Sequence, residues 1–347
     1  MGSGTPAGIS ADPVIDVRDV SKAFGDTIAV DGVSFEVCRG EVLGFLGPNA
    51  AGKTTTMRIL TGYLAPDAGT AMVAGRDIHT HSLEVRRRLG YLPESAPLYL
   101  DMGVLDHLRF VAELRGVAPA SINARIADMI DICGLAGVVH KNVGELSKGY
   151  RQRVGLAITM IHNPDVLILD EPTTGLDPSQ IIEIRELIRE IGRERTVILS
   201  THILPEVEAT SSRVLIINEG RIVASGTPDE LASMAVGTER VVVAARAPRE
   251  ELGRSVTALP GVIEATELGE DADGYVRYAL IVQKGAPVVD GLFDAVTGRG
   301  WRLRELTTER VSLEDVFLRL TAGGGPDADP TSDVGRRAKQ RRWEDDR

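Results

Sequence analysis

The sequence predicts an α/β fold with a helical segment inserted into it, followed by a smaller α+β unit. Short apolar runs alternate with helical stretches from residue 14 onward. The alternation gives way to helix alone between about residues 97 and 161, and a second set of strands begins after residue 236. At 347 residues, 43% of them hydrophobic and 26% charged, the chain has the length for one large domain plus a small one and the balance of a globular protein.

In the first unit, taken as residues 14–235, strands are expected at 14–20, 33–37, 42–46, 166–169, 197–200, 214–217 and 222–224. The runs 42–46 and 166–169 are continuously apolar, as parallel strands covered on both faces are. The turn Ser225-Gly226-Thr227-Pro228 and a short helix near 229–234 close this unit. In the second, residues 236–321, strands are expected at 240–245, 261–267, 275–282 and 301–305, with helices at 287–297 and 312–320. That order suggests a ferredoxin-like or similar α+β sandwich. Residues 1–13 read as a flexible N-terminus, and 322–347, rich in Gly, Pro and charge with few apolar residues, as a disordered tail.

A net charge of −11 argues against nucleic-acid binding through a broad basic surface, so no nucleic-acid partner is expected. Cys38 and Cys133 are too few for a disulfide framework and fit a reducing cytosol. No apolar run approaches the roughly 20 residues of a membrane helix, and MGSGTPAGIS has neither the charged start nor the apolar core of a secretory signal. If the protein works at a membrane, another chain must cross it.

The chemistry is concentrated in two segments. Gly47-Pro48-Asn49-Ala50-Ala51-Gly52-Lys53-Thr54-Thr55 matches the G-x-x-x-x-G-K-[ST] phosphate loop. Its glycines let the backbone curl so that amide N–H groups face phosphate oxygens, and the helix that follows adds a favourable field for an anion. Lys53 places a positive charge on the β- and γ-phosphates, and Thr54 reaches magnesium. Residues 166–171, VLILDE, carry Asp170 to the polar end of a strand, where it can hold magnesium through water. Glu171 can then take a proton from the attacking water. ATP and Mg²⁺ are the ligands these segments imply.

Residues 146–153, LSKGYRQR, make the chain similar to the ABC-type ATPases, whose signature begins LSGGQ. Leu146, Ser147 and Gly149 are kept, with Lys148 and Tyr150 at the altered positions. From the residues alone, Ser147 reads as a helix N-cap. The resemblance implies that this helix end, through Ser147 and Gly149, meets the γ-phosphate held by the other copy of a homodimer. It also implies that Gly175-Leu176-Asp177-Pro178 runs along that interface, although Asp177 as cap and Pro178 at the first helical position is the local alternative. His202, in LSTH, resembles the histidine that touches the γ-phosphate. Phe24 stands where the family stacks an aromatic ring on adenine. Glu94 takes the place of a loop glutamine as a candidate catalytic and metal-ligating carboxylate, a substitution that adds negative charge to an anionic site. Leu98, Tyr99 and the helix from Val104 follow it and offer apolar candidates for contact with a membrane subunit.

The resemblance covers about residues 14–235 and implies the cytoplasmic ATP-hydrolysing subunit of a transporter, peripheral on the inner face of the cell membrane and paired with an integral membrane permease. SLEDVFLRLT, residues 312–321, resembles the tail domain of drug, polysaccharide and gliding-motility exporter ATPases. A soluble ABC ATPase of ribosomes or DNA is the alternative. Those carry two cassettes or a long coiled coil, where this chain has one phosphate loop and no sustained heptads. A nucleotide-binding regulator without turnover would not need Glu171 and His202.

Overall fold

The computed structural model describes residues 13–233, 238–283, 285–309 and 313–321. The expected flexible N-terminus, apart from Pro13, and the expected tail from 322 lie outside the described residues. The chain runs β1 (Pro13–Phe24), β2 (Thr27–Cys38), β3 (Val42–Leu46), α1 (Lys53–Leu60), β4 (Ala68–Val73), β5 (Arg76–Asp77), α2 (Ser82–Arg88) and β6 (Leu89–Leu92). Then come α3 (Val104–Leu114), α4 (Pro119–Ile132), α5 (Lys148–Met160), β7 (Val166–Asp170), α6 (Pro178–Gly192), β8 (Thr196–Thr201), α7 (Leu204–Thr210), β9 (Arg213–Asn218) and β10 (Arg221–Gly226). The remainder is α8 (Pro228–Ser233), β11 (Thr238–Arg246), α9 (Arg249–Thr257), β12 (Val262–Glu270), β13 (Val276–Gln283), α10 (Val288–Gly298), β14 (Arg302–Glu309) and α11 (Leu313–Thr321).

The division into two compact units falls between Thr227 and Pro228, so α8 goes with the second unit and the boundary lies earlier than residue 235. In the first unit a six-stranded sheet has the order β10-β9-β3-β8-β7-β6. Its β9-β3-β8-β7-β6 stretch is parallel. A separate antiparallel sheet has the order β2-β1-β4-β5. The continuous apolar runs follow from a core on each face of the parallel sheet. On β7, Leu167 and Leu169 join the cluster of α3, α4 and α5, while Val166 and Ile168 join the cluster of β1, β2 and α1. Val197 and Leu199 of β8 divide from Ile198 in the same way, as a period of two requires.

The expected helical segment at 97–161 contains α3, α4 and α5 and no named strand. Three strands were not expected. β4 is AGTAMV, poor in strand-forming residues. β5 has only two residues. β6 is LGYL, and its Gly90 is there for clearance, because a Cβ would come within 2.4 Å of the Thr159 carbonyl of α5.

The second unit has the order β12-β13-β11-β14, every neighbouring pair antiparallel. With helices after its first and third strands, this is the ferredoxin-like βαββαβ arrangement. Val241, Val243 and Leu280 pack against Leu252 and Val256 of α9 and Leu292 and Val296 of α10. Helix α9, REELGRSVT, was not expected: a glycine sits mid-helix and only Leu252 and Val256 are buried.

Candidate nucleotide site

The parallel strands β3, β7 and β8 end side by side, and each delivers its functional residues from its C-terminal end. Residues 47–52 leave β3 and wrap into α1, whose first residue is Lys53. The loop is braced from outside: Gly220 N donates to Ala51 O at 2.9 to 3.0 Å spacing typical of such bonds, here 3.0 Å, and Asp31 N donates to Gly220 O at 2.9 Å. Gly47 and Gly52 admit no side chain, since a Cβ would lie 2.5 Å from Ile217 O and 2.4 Å from Ala29 O. Gly52 also has φ +103°, and Ala50 takes φ +64°, a conformation costly for a residue with a Cβ.

Lys53 is buried, yet its ammonium donates to Gly47 O at 2.8 Å and Pro48 O at 3.1 Å and lies 3.3 Å from Glu171 Oε1. Those oxygens offset the cost of taking a charge out of water and hold it inside the loop. Asp170, 1% exposed, accepts from Thr54 Oγ1 at 3.3 Å and Tyr91 OH at 3.4 Å, and also from Ser200 Oγ. Burial, followed by the neighbouring Asp170 charge, pushes the Tyr91 hydroxyl up to about 12, so it stays a donor at neutral pH.

Glu171 has φ +50°, an uncommon conformation for a residue with a side chain and one met at functional sites. Its N–H donates to Ser200 O at 3.0 Å. Its Oε2 accepts from His202 Nδ1 at 2.8 Å and Thr174 Oγ1 at 3.3 Å. The imidazole of His202 is 40% exposed, so it is anchored to Glu171 at one nitrogen and faces outward with the rest of the ring.

These contacts gather Lys53, Thr54, Asp170, Glu171 and His202 into one cluster. Phe24 and Glu94 are not drawn into it. Phe24 ends β1, is 52% exposed and carries the Lys22 ammonium 5.9 Å from its ring centroid. Glu94 lies on the loop after β6, exposed, without hydrogen bond or ion pair. Among the described residues no three His, Cys, Asp or Glu side chains come together as a metal cage.

The family description "ABC transporter" matches residues 30–174, and "AAA domain, putative AbiEii toxin, Type IV TA system" matches 142–207. The chain is 36% identical over 312 residues to the daunorubicin resistance ATP-binding protein DrrA3 of Streptomyces coeruleorubidus, covering 90% of this chain and 96% of that one. It is 35% identical to the Nod factor export ATP-binding protein I of Burkholderia orbicola (strain AU 1054), covering 88% and 96%. The chain belongs to the ATP-binding subunits of ABC transporters. It is an ATPase of the exporter group, whose members work with a separate membrane permease. Among solved structures, the ATP-binding subunit of an ABC transporter superposes with a TM-score of 0.58 at 30% identity, over 64% of this chain and 92% of that one. CbiO1 from Clostridium perfringens, part of the ABC transporter complex cbiONQ, gives 0.59 at 29% identity, over 63% and 90%.

In this cassette the signature turn has a local architecture of its own. Ser147 caps α5, its Oγ accepting from Tyr150 N at 3.3 Å. Gly149 is buried, and the Gln180 side chain packs over it where a Cβ would stand. The Lys148 ammonium lies over Gly175, so the signature lysine leans on the neighbouring loop. Asp177 caps α6 through Ser179 N and Gln180 N, both at 3.0 Å, with Pro178 at the first position. Sequence reasoning missed Tyr91 and Ser200, which hold Asp170, because a tyrosine and a serine inside strands carry no motif.

Among the described residues no helix is long and apolar enough to cross a membrane.

Proposed function

We propose that two copies of this chain pair head to tail on a membrane permease at the inner face of the cell membrane. Each phosphate loop is then completed by the partner's signature turn, and ATP hydrolysis there drives export. The observation that carries the reading is the cluster at the ends of β3, β7 and β8, where a buried cation, a carboxylate and a carboxylate–imidazole pair converge beside a curled glycine loop. Residues 47–55 hold the phosphates, and Lys53 leaves the Glu171 oxygen for the γ-phosphate, freeing that carboxylate to take the proton of water. His202 keeps Glu171 turned toward the nucleotide, and Phe24 stacks on the adenine.

Thr54 and Asp170 suit Mg²⁺, which takes few protein oxygens and completes its shell with phosphate and water. Bound there, the ion would neutralise phosphate charge. Support for the shared site comes from the signature turn, whose Ser147 is exposed. Among the described residues no hydrogen bond or ion pair joins it to residues 47–55 of its own chain. Contact with the permease falls on the surface after Glu94, where Tyr99 (58%) and Leu100 (54%) are exposed and the Phe110 ring lies 5.8 Å from that of Tyr99. By analogy with the named relatives, the cargo is a drug or a Nod-factor-like molecule.

Complementation tests the pairing. Lys53→Ala chains should bind ATP weakly and Ser147→Arg chains should bind but not turn over. Mixed, they should regain activity through one intact site per heterodimer. Heterodimers that form without regaining activity would sink the shared site.

A further inference from the structure

Glu206 is 1% exposed, and neither the phosphate-binding nor the proton-transfer role uses it. It sits in α7, four residues beyond His202. Its Oε1 accepts from Thr173 Oγ1 at 2.5 Å and its Oε2 from Thr201 Oγ1 at 2.8 Å. Thr173 belongs to the loop that begins at Glu171, and Thr201 immediately precedes His202. Both threonines are buried, at 2% and 0% exposure. One carboxylate thus joins the two loops whose side chains meet in the 2.8 Å His202–Glu171 contact. Arg185 of α6 supplies the counter-charge at 3.9 Å from Oε1, too long for a hydrogen bond, and its Nε is buried without a partner.

We propose that Glu206 is a positioning residue: it staples the Glu171 loop to the His202 loop and so sets the geometry of the carboxylate–imidazole pair. The inference rests on the roles given above to Glu171 and His202. Burying a carboxylate costs more than burying a leucine in the same space, and well-packed apolar replacements of buried ion pairs are often neutral or stabilising. A charged group kept here therefore points to something other than stability. The carboxylate gives each loop its own acceptor oxygen at fixed separation, which an apolar side chain cannot do. Thr201 is held a second time, because its Oγ1 accepts from Ile203 N at 3.1 Å, and Glu206 N donates to Ile203 O at 3.1 Å. The His202 turn is closed on itself, and beyond the β7–β8 ladder, which ends at Asp170 and Ser200, its side-chain link to the Glu171 loop passes through Glu206. Thr174 holds Glu171 from within its own loop, and the Glu171 N–H to Ser200 O bond ties the backbone at the two strand ends, whereas Glu206 ties the side chains that follow them.

The test uses the full chain with its six histidines labelled with ¹⁵N, and the His202 resonance assigned by its loss in His202→Gln. Four variants are compared: Glu206→Leu, Glu206→Gln, Thr173→Val and Thr201→Val. In the wild type the His202 Nδ1 signal should be that of a proton held by a carboxylate. In Glu206→Leu and Thr173→Val it should move to that of a freely solvated imidazole. The turnover number should fall about 10- to 100-fold, the scale of a misplaced catalytic group, with the ATP dissociation constant unchanged. Glu206→Gln should recover most of the loss, because its amide can accept from one threonine and donate to the other. If Glu206→Leu fails to fold, Thr173→Val carries the test, since it removes one prong and leaves the Glu206–Arg185 pair intact. A lower melting temperature with unchanged His202 signal and turnover in the folded variants would overturn the proposal. If Glu171→Gln keeps full turnover, the assigned proton-transfer role fails by itself, while the His202 signal still reports on Glu206.

Discussion

The six-stranded sheet of the first unit and the four-stranded sheet of the second are filled differently. Strands β3, β7 and β8 of the parallel sheet are buried at every position, and β11 and β13 of the second unit's sheet bury apolar side chains along most of their length. Every buried polar or charged residue found among the described residues, from Glu41 to Thr210, lies in the first unit. There Lys53, Asp170, Glu171, Thr173, Ser200, Thr201 and Glu206 crowd the ends of three adjacent parallel strands. In the second unit the buried residues are apolar or aromatic, and the phenol of Tyr278 reaches an acceptor in Glu267 at 3.2 Å. Burying polar groups is expensive, so they accumulate only where a geometry must be held. The difference separates a working sheet from a packed one.

The largest effect follows from taking one of those polar groups away. Glu171→Gln keeps the shape and the contact with His202 but has no basic oxygen pair for a proton. Turnover should drop by about 10² to 10⁴-fold, the range for loss of a positioned base, while ATP binding persists. Single-turnover hydrolysis and equilibrium ATP binding, measured on the same preparation, check this. A variant hydrolysing at the wild-type rate would remove Glu171 from the reaction and weaken the contrast between the sheets.

The complementary cut is in the second sheet. Leu280 is wholly buried on β13 against α9 and α10, and Leu280→Ala should destabilise that unit by about 2 to 5 kcal/mol. Denaturant unfolding should show the loss, with steady-state ATPase activity of the folded protein little changed. Activity that falls in step with the stability of the second unit would show that the packed sheet also serves turnover.

What was legible in the sequence follows the same line. Lys53, Asp170 and Glu171 could be read because their chemistry needs fixed spacing at strand ends, and β3, β7 and β8 could be read because burial on both faces writes unbroken apolar runs. The ferredoxin-like order of the second unit emerged from strand alternation, although α9 escaped notice. Glu206 could not be read: a glutamate on a short helix resembles a solvated one until the fold brings Thr173 and Thr201 against it. Nor could the φ of Ala50 and Glu171, since a left-handed backbone at a residue with a side chain is imposed by the surrounding fold. β6 was hidden because its Gly90 answers to the approach of α5.

A smaller effect belongs to pH. His162 follows α5, and its Nε2 donates to Leu89 O at 3.2 Å while Nδ1 is buried without a partner. Burial, helped by the nearby Arg115, Arg125 and Arg195 charges, lowers its pKa from 6.5 to about 4. The folded protein therefore keeps this ring neutral where the unfolded chain would protonate it. The stability tied to this group is complete above about pH 6.5 and is lost as pH falls through 4. His162→Gln can still donate to Leu89 O without titrating, so its stability should fall less steeply between pH 6.5 and 4 than the wild type's. Urea unfolding across that range measures the slopes, and parallel curves would mean that His162 is protonated in the fold as readily as outside it.

The smallest effect is expected at Glu94, the carboxylate that stands where the family has a glutamine. Nucleotide brings about four negative charges to the site at neutral pH, so a carboxylate entering it must bind the metal or keep its proton. In this structure Glu94 is exposed on the loop after β6 and bonded to nothing, whereas Thr54 and Asp170 stand within 3.3 Å of each other at the foot of the phosphate loop. An exposed carboxylate has water to solvate its charge and needs neither remedy. Glu94→Gln should accordingly leave the dependence of ATPase rate on Mg²⁺ and Mn²⁺ concentration superimposable on that of the wild type at saturating ATP. The site would then resemble the packed second sheet in one respect, a charged residue on its surface whose loss costs little. A metal titration that shifts in the variant would show that the loop closes and carries Glu94 onto the ion during turnover. A gain of activity at higher pH, confined to the wild type, would instead mark a carboxyl that enters the site protonated and must lose its proton, which a glutamine amide cannot do.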